Sequence, residues 1–301
     1  MKKAYFFVVL TAVLFGTMET ACKIAANGLD SFQLTFIRFA IGGLILLPFA
    51  IKDIKRNNVH LVPKDFLILL CVGILGIPIS MVFFQLGVNY CNASTASVLI
   101  SINPLFTMVI AHFFTDEKLN KYKGYVLAIA FIGLVFMIRP WGVQEGNTVK
   151  GIIFMIIAAA TFGAYTVAGK QSVRKMGTMA QTSFSFILGS AVLLIVIIAC
   201  GKPVVAGVVD NIPLVLYVGI FVTGVGYWSY FKAIELADAS TGSLAFFLKP
   251  AIAPFIAIIF LHETVLWNTY VGVVLILISS YVNISYQRNM NEIQKHNITE
   301  D

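Results

Sequence analysis

The 301 residues are 59% apolar and carry 21 basic and 14 acidic side chains, a net charge of +7, whereas soluble domains run near ~25% charged residues. That balance excludes a soluble globular enzyme. It excludes nucleic acid as a partner too, because the basic residues sit in short connections between apolar runs, where membrane orientation accounts for them. A mean hydropathy of +0.89, held along nearly the whole chain, predicts an all-α polytopic membrane protein embedded in a lipid bilayer, at about 20 apolar residues per crossing.

In chain order, the first apolar run starts behind Lys2 and Lys3 and continues to about Ala21, with Glu19 inside it and no small-residue cleavage site. It reads as a retained span rather than a leader. Runs of spanning length predict helices near 4–22, 31–51, 65–86, 93–114 and 122–139, then near 149–170, 180–200, 212–234, 240–261 and 268–286. These are ten transmembrane helices, followed by a polar tail over 287–301 whose composition predicts disorder. The N-terminus, the even-numbered connections and the tail hold most of the basic residues, while the odd-numbered connections hold only Lys23, Arg139, Lys150 and Lys202. By the positive-inside rule both termini are cytoplasmic, in a bacterial plasma membrane.

The two halves repeat. Val72-Gly73-Ile74 returns as Val218-Gly219-Ile220 and Ala93-Ser94-Thr95 as Ala239-Ser240-Thr241, both at an offset of 146 residues. Ser97, Pro104, Phe114 and Glu117 meet Ser243, Pro250, Phe260 and Glu263 at the same offset, while Gly16 meets Gly163 and Lys23 meets Lys170 one residue further on. Units of five spans, 1–146 and 147–286, enter the membrane from opposite faces, so the expectation is two inverted five-helix repeats. Consistently, Lys118, Lys121 and Lys123 follow the fourth span and no basic residue follows the ninth.

The segments from Ala93 through Pro104 to Glu117 and from Ala239 through Pro250 to Glu263 resemble the fourth helix and closing glutamate of the EamA-like carriers, members of the drug/metabolite transporter (DMT) superfamily. The resemblance covers nearly the whole chain. It departs at Phe15-Gly16-Thr17-Met18-Glu19, where many members have Trp-Gly followed by small or apolar residues, so Glu19 inherits no role. The resemblance implies ten helices in two repeats, and export of metabolites, commonly amino acids.

An ionised carboxylate at the depth of Glu19 costs at least ~2.5 kcal/mol on insertion scales. It needs a partner, water or a proton, and it suits proton coupling or an ammonium. A structural ion pair with Arg38 or Lys249 is the competing reading. Lys249 stands mid-span before Pro250 and its counterpart Asn103 before Pro104, and a proline frees a carbonyl one turn earlier. This pair is expected to line the cavity and to recognise a carboxylate. Arg38, placed near the outer face, is expected to snorkel or to form a gate-side ion pair, with substrate contact as the alternative. Tyr165, Trp228 and Tyr230, with Gln85, are further cavity candidates against a packing alternative. Glu117 and Glu263 are expected to complement the start of the next helix in each repeat. Gly16 and Gly163, with Gly73 and Gly219, are expected to permit close helix approach.

Cys22, Cys71, Cys91 and Cys200 lack disulfide or zinc spacing, the four histidines are scattered, and no nucleotide-binding or hydrolase motif occurs. Neither a metal site nor a cofactor is expected, and no enzymatic activity. The leading expectation is a secondary transporter for a small zwitterionic or anionic substrate, exporting by alternating access with proton coupling at Glu19. Alternatives are an organic-anion or sugar-phosphate exchanger and, in another class, a membrane enzyme or a sensor scaffold that moves no solute.

Overall fold

A computed structural model describes residues 2–115, 121–138, 142, 145–236 and 239–300. The described residues are helical or in turns, with no strand. Seven helical stretches are long and apolar enough to cross a bilayer: Lys3–Ala25, Ser31–Arg56, Pro63–Tyr90, Ala93–Phe114, Val149–Met176, Thr178–Ala199 and Val209–Leu236. Three shorter apolar helices, Gly124–Phe136, Leu248–Leu261 and Trp267–Ser279, fall where the sequence predicts the remaining spans.

Several of the long stretches are interrupted. The first is α1 (Lys2–Gly16) and α2 (Met18–Ala25), broken at Thr17, one residue after a glycine and two before Glu19. Next comes α3 (Ser31–Arg56), started by Asp30, whose Oδ1 accepts from Phe32 N at 2.9 Å. The third stretch is α4 (Pro63–Ile74), a π-helical segment Leu75–Met81 containing Pro78, and α5 (Val82–Tyr90). The fourth breaks between α6 (Ala93–Ile100) and α7 (Asn103–Phe114), with Pro104 in the first turn of α7. Proline cannot continue the ladder, and Asn103 Nδ2 donates to Ile100 O at 3.0 Å, satisfying a carbonyl beside the break.

The chain continues as α8 (Lys121–Ile138), α9 (Val149–Met176) and α10 (Thr178–Ala199). Then follow α11 (Ile212–Leu216), a second π-helical segment Tyr217–Val225, α12 (Gly226–Leu236), α13 (Ala239–Leu261) and α14 (Trp267–Glu300). Pro250 lies inside an uninterrupted α13, unlike its counterpart Pro104. The polar tail is helix to Glu300, where composition predicts disorder. Extending an existing helix avoids the nucleation step that an isolated segment must pass.

The helices pair in an orderly way. α3 lies along α10, α8 along α14 and α6 along α13; α1 packs on α13 as α9 packs on α7. Likewise α4 packs on α10 as the second π segment packs on α3, and α5 on α9 as α12 on α1. Shifting each element by the 146-residue offset exchanges these pairs with one another. Close approach rests on small residues: a Cβ on Gly163 would come 2.8 Å from Thr107 N, and one on Gly16 2.7 Å from Ile252. Outward faces carry exposed Phe6, Leu44, Ile195 and Phe260, as a lipid-facing surface requires. The interior is aromatic: Phe15 meets Tyr227 at 5.0 Å, Phe39 meets Phe186 at 4.7 Å and Phe162 meets Phe246 at 5.5 Å between centroids.

Candidate functional site

The break at Thr17 leaves Glu19 in the first turn of α2, pointing into the aromatic interior, where Lys249 of α13 donates to its Oε1. Both side chains are 0% exposed. Of the two partners considered for Glu19, Lys249 is therefore the one bonded, and the pair ties the first long helix to the penultimate one. Lys249 Nζ lies 5.9–6.0 Å from the rings of Phe84, Phe15 and Phe246, and Glu19 Oε2 has no partner among the described residues.

Arg38 is also 0% exposed, so it neither snorkels nor reaches a surface gate. The reason is its setting on α3: Cζ lies 4.5 Å from the Phe39 centroid and 5.7 Å from that of Phe84, the ring it shares with Lys249. A second buried cation thus stands beside the same ring as the Glu19–Lys249 pair. Gln85, one residue after Phe84, donates from Nε2 to Asn89 Oδ1 at 3.2 Å and, more weakly, to Cys22 O at 3.4 Å, one turn beyond Glu19. Asn103 is buried with Oδ1 unpartnered among the described residues, and no hydrogen bond joins it to the pair there.

Tyr165 is buried against Phe162 and Phe231, with its hydroxyl unpartnered among the described residues. Tyr230 is buried with its hydroxyl 3.4 Å from Thr166 Oγ1. Trp228 stands apart from both, half-buried and edge-on to Phe7 at 5.4 Å. Residues that sequence reading passed over are Phe84 and Tyr227, each shortly after a π-helical segment, a feature that recurs at functional sites. An apolar aromatic in a span looks the same whether it packs or lines, so only the three-dimensional structure separates them.

Glu263 corrects an expectation. Among the described residues its hydrogen bonds go not to the helix that follows but to α6 in the other half, which it caps by accepting from Ala93 N at 2.6 Å, Ser94 N at 3.0 Å and Ser94 Oγ at 2.8 Å. His262, at φ +53°, turns the chain to deliver it. Lys23 of α2 completes the cluster, 3.4 Å from Glu263 Oε1 and donating to Cys91 O. Glu117, its counterpart, lies outside the described residues.

The opposite face carries two cavities of about 420 and 460 Å³ that share Lys170 and Arg174. Phe113, Phe114 and Gln171 line one, Lys175, Ile234 and Glu235 the other. The molecule thus has a basic vestibule at one face, occluded charges at mid-depth and a closed cluster at the other face. Among the described residues no group of His, Cys, Asp and Glu could hold a metal ion.

The EamA-like transporter family model matches twice, over residues 2–139 and 149–285. An uncharacterized transporter of Clostridium kluyveri is 38% identical over 302 residues, covering 98% of this chain and 97% of that protein. A second, from Archaeoglobus fulgidus, is 27% identical over 93% of this chain and 98% of its own length. An S-adenosylmethionine uptake transporter of Rickettsia prowazekii is 27% identical over 62% of this chain and 60% of its own. A solved crystal structure superposes with a TM-score of 0.69 at 18% identity, covering 96% of this chain and 99% of that one; at that identity the likeness is one of fold.

Proposed function

The chain belongs to the EamA-like transporter family, and we propose that it is a secondary transporter moving small zwitterionic metabolites of the amino-acid class by alternating access, coupled to protons through Glu19. The observation that carries this reading is the Glu19–Lys249 pair, fully buried between the first and penultimate long helices. A buried pair is held in place only while both members stay compensated. A zwitterion can replace each partner, offering Glu19 an ammonium and the site's cations a carboxylate, and a proton on Glu19 would release Lys249 in the same way.

The architecture proposed is ten spans in two inverted five-helix units, 1–146 and 147–286, with both termini and the basic vestibule on the cytoplasmic side. The exchange of helix pairs at the 146-residue offset and the two matches of the family model support it. Export is the direction proposed, with substrate entering from the vestibule. The Rickettsia relative is named for uptake of S-adenosylmethionine, a molecule with an amino-acid moiety, which favours the substrate class while leaving direction to experiment. A second reading, exchange of organic anions or sugar phosphates, draws on the excess of cations: Arg38 and Lys249 face a single buried carboxylate.

The test is counterflow in proteoliposomes with labelled amino acids and organic anions, with and without an imposed pH gradient. Saturable amino-acid exchange that responds to the gradient, and that loses the response in Glu19→Gln, is the expected result. Anion exchange indifferent to pH would replace the leading reading by the second.

A further inference from the structure

The observation left unexplained is the state of Arg38. A guanidinium offers five N–H donors and no acceptor, yet among the described residues this one makes a single polar contact, from Nη1 to Met18 Sδ at 3.7 Å. Its Nε and Nη2 are buried with no partner, and Glu19 is already bonded to Lys249. Cation–π contact with Phe39 and Phe84 offsets part of the cost of burying the charge but satisfies none of its N–H donors. Among the described residues the Nε–Nη2 edge of Arg38 is thus a buried pair of donors without an acceptor.

The geometry of the two idle donors says which kind of acceptor fits. Nε and Nη2 form one edge of the guanidinium, with parallel N–H bonds that match the two oxygens of a carboxylate. Two buried acceptors complement this, Glu19 Oε2 and Gln85 Oε1, which have no donor among the described residues. Gln85 follows Phe84, the ring that Arg38 and Lys249 share, and its Nε2 reaches back to the helix that carries Glu19.

We propose that Arg38 is the carboxylate anchor of the substrate site, its Nε–Nη2 edge binding the substrate's carboxylate while Glu19 Oε2 and Gln85 Oε1 receive its ammonium. This rests on the transporter reading above and deepens it. It assigns the carboxylate to Arg38 instead of Lys249, which is occupied by Glu19 at rest. The ligand is a free α-amino acid or a molecule containing that unit. Amides and esters, which lack the second charged oxygen, are excluded.

The experiment is counterflow by the full-length protein in proteoliposomes with three probe sets: the common L-amino acids, their carboxamides, and glucose 6-phosphate with glycerol 3-phosphate. The wild type should exchange one or more acids and reject the matching amides by at least tenfold. Arg38→Lys, which keeps the charge and loses the edge, should raise KM at least tenfold, and Arg38→Met should abolish exchange. Thermal unfolding of the purified variants supplies the control. A charge without a partner in the resting protein predicts that Arg38→Met unfolds at the same or a higher temperature than wild type, whereas a structural Arg38 predicts a marked fall. Equal exchange of acids and amides, exchange of phosphates alone, unchanged exchange by Arg38→Met, or a fall in its unfolding temperature would each overturn the assignment, with the transporter reading intact. Exchange of no probe by the wild type would overturn the amino-acid reading itself, and this proposal with it.

Discussion

Glu19 and Lys249 illustrate why an intramembrane charge is informative and incomplete. Removing one member of a buried pair strands the other and costs about 3–5 kcal/mol, while replacing both by apolar groups of similar volume is often neutral. Here the two single changes are not equivalent, because a second buried cation, Arg38, shares the Phe84 ring with Lys249. Glu19→Gln leaves two cations with no carboxylate; Lys249→Met leaves Glu19 with Arg38 as a residual counter-charge. Thermal unfolding should therefore rank wild type and the Glu19→Gln/Lys249→Met double variant highest, Lys249→Met next and Glu19→Gln lowest. Equal losses in the two single variants would mean that Arg38 does not share the pair's field. That Glu19, Lys249 and Arg38 are unusual was legible from hydropathy alone, since each interrupts an apolar run. Their pairing was not, because it depends on which helices meet, and the depth of Arg38 depends on the aromatic rings around it.

At the scale of elements, the sequence showed where helices begin and end better than where they break. The break at Thr17 follows a glycine, and Pro104 lies beside the α6/α7 break as proline chemistry requires, yet Pro250 at the equivalent position leaves α13 continuous. Neighbouring packing, which a single sequence does not display, decides between the two. The same holds for Glu263, whose repeat spacing marked it as structural while its target, the start of α6, lies 170 residues away. A side-chain cap of this kind is typically worth ~1 kcal/mol, which shifts a two-state equilibrium about fivefold. Because the cap joins the two halves at the face opposite the vestibule, Glu263→Ala should favour opening there. Cys91, buried and free beside it, reports the change. With exposed Cys71 and Cys200 replaced by Ser, an impermeant maleimide applied from that face should label Cys91 about fivefold faster in Glu263→Ala. An unchanged rate would show that the cluster does not hold that face closed.

Across the whole molecule, the same two elements are joined twice. Glu19 and Lys23 stand one turn apart on α2; Lys249 lies within α13, and Glu263 follows its end. The mid-depth pair and the surface cluster therefore clamp one helix against another at two depths, and the shared helices are themselves the physical connection between the sites. Under the proposed alternating access, a ligand that competes for Glu19 or Lys249 would loosen the mid-depth clamp and leave the cap alone to hold the far face. Lys249→Met should accordingly speed Cys91 labelling although it touches neither Glu263 nor Lys23. Combined with Glu263→Ala, it should give less than the product of the two single effects, because once either clamp is gone the face is already partly open. An unchanged Cys91 labelling rate in Lys249→Met would mean that occupancy of the central site does not reach that face through α2 and α13, and the vestibule side would then be where substrate binding is felt.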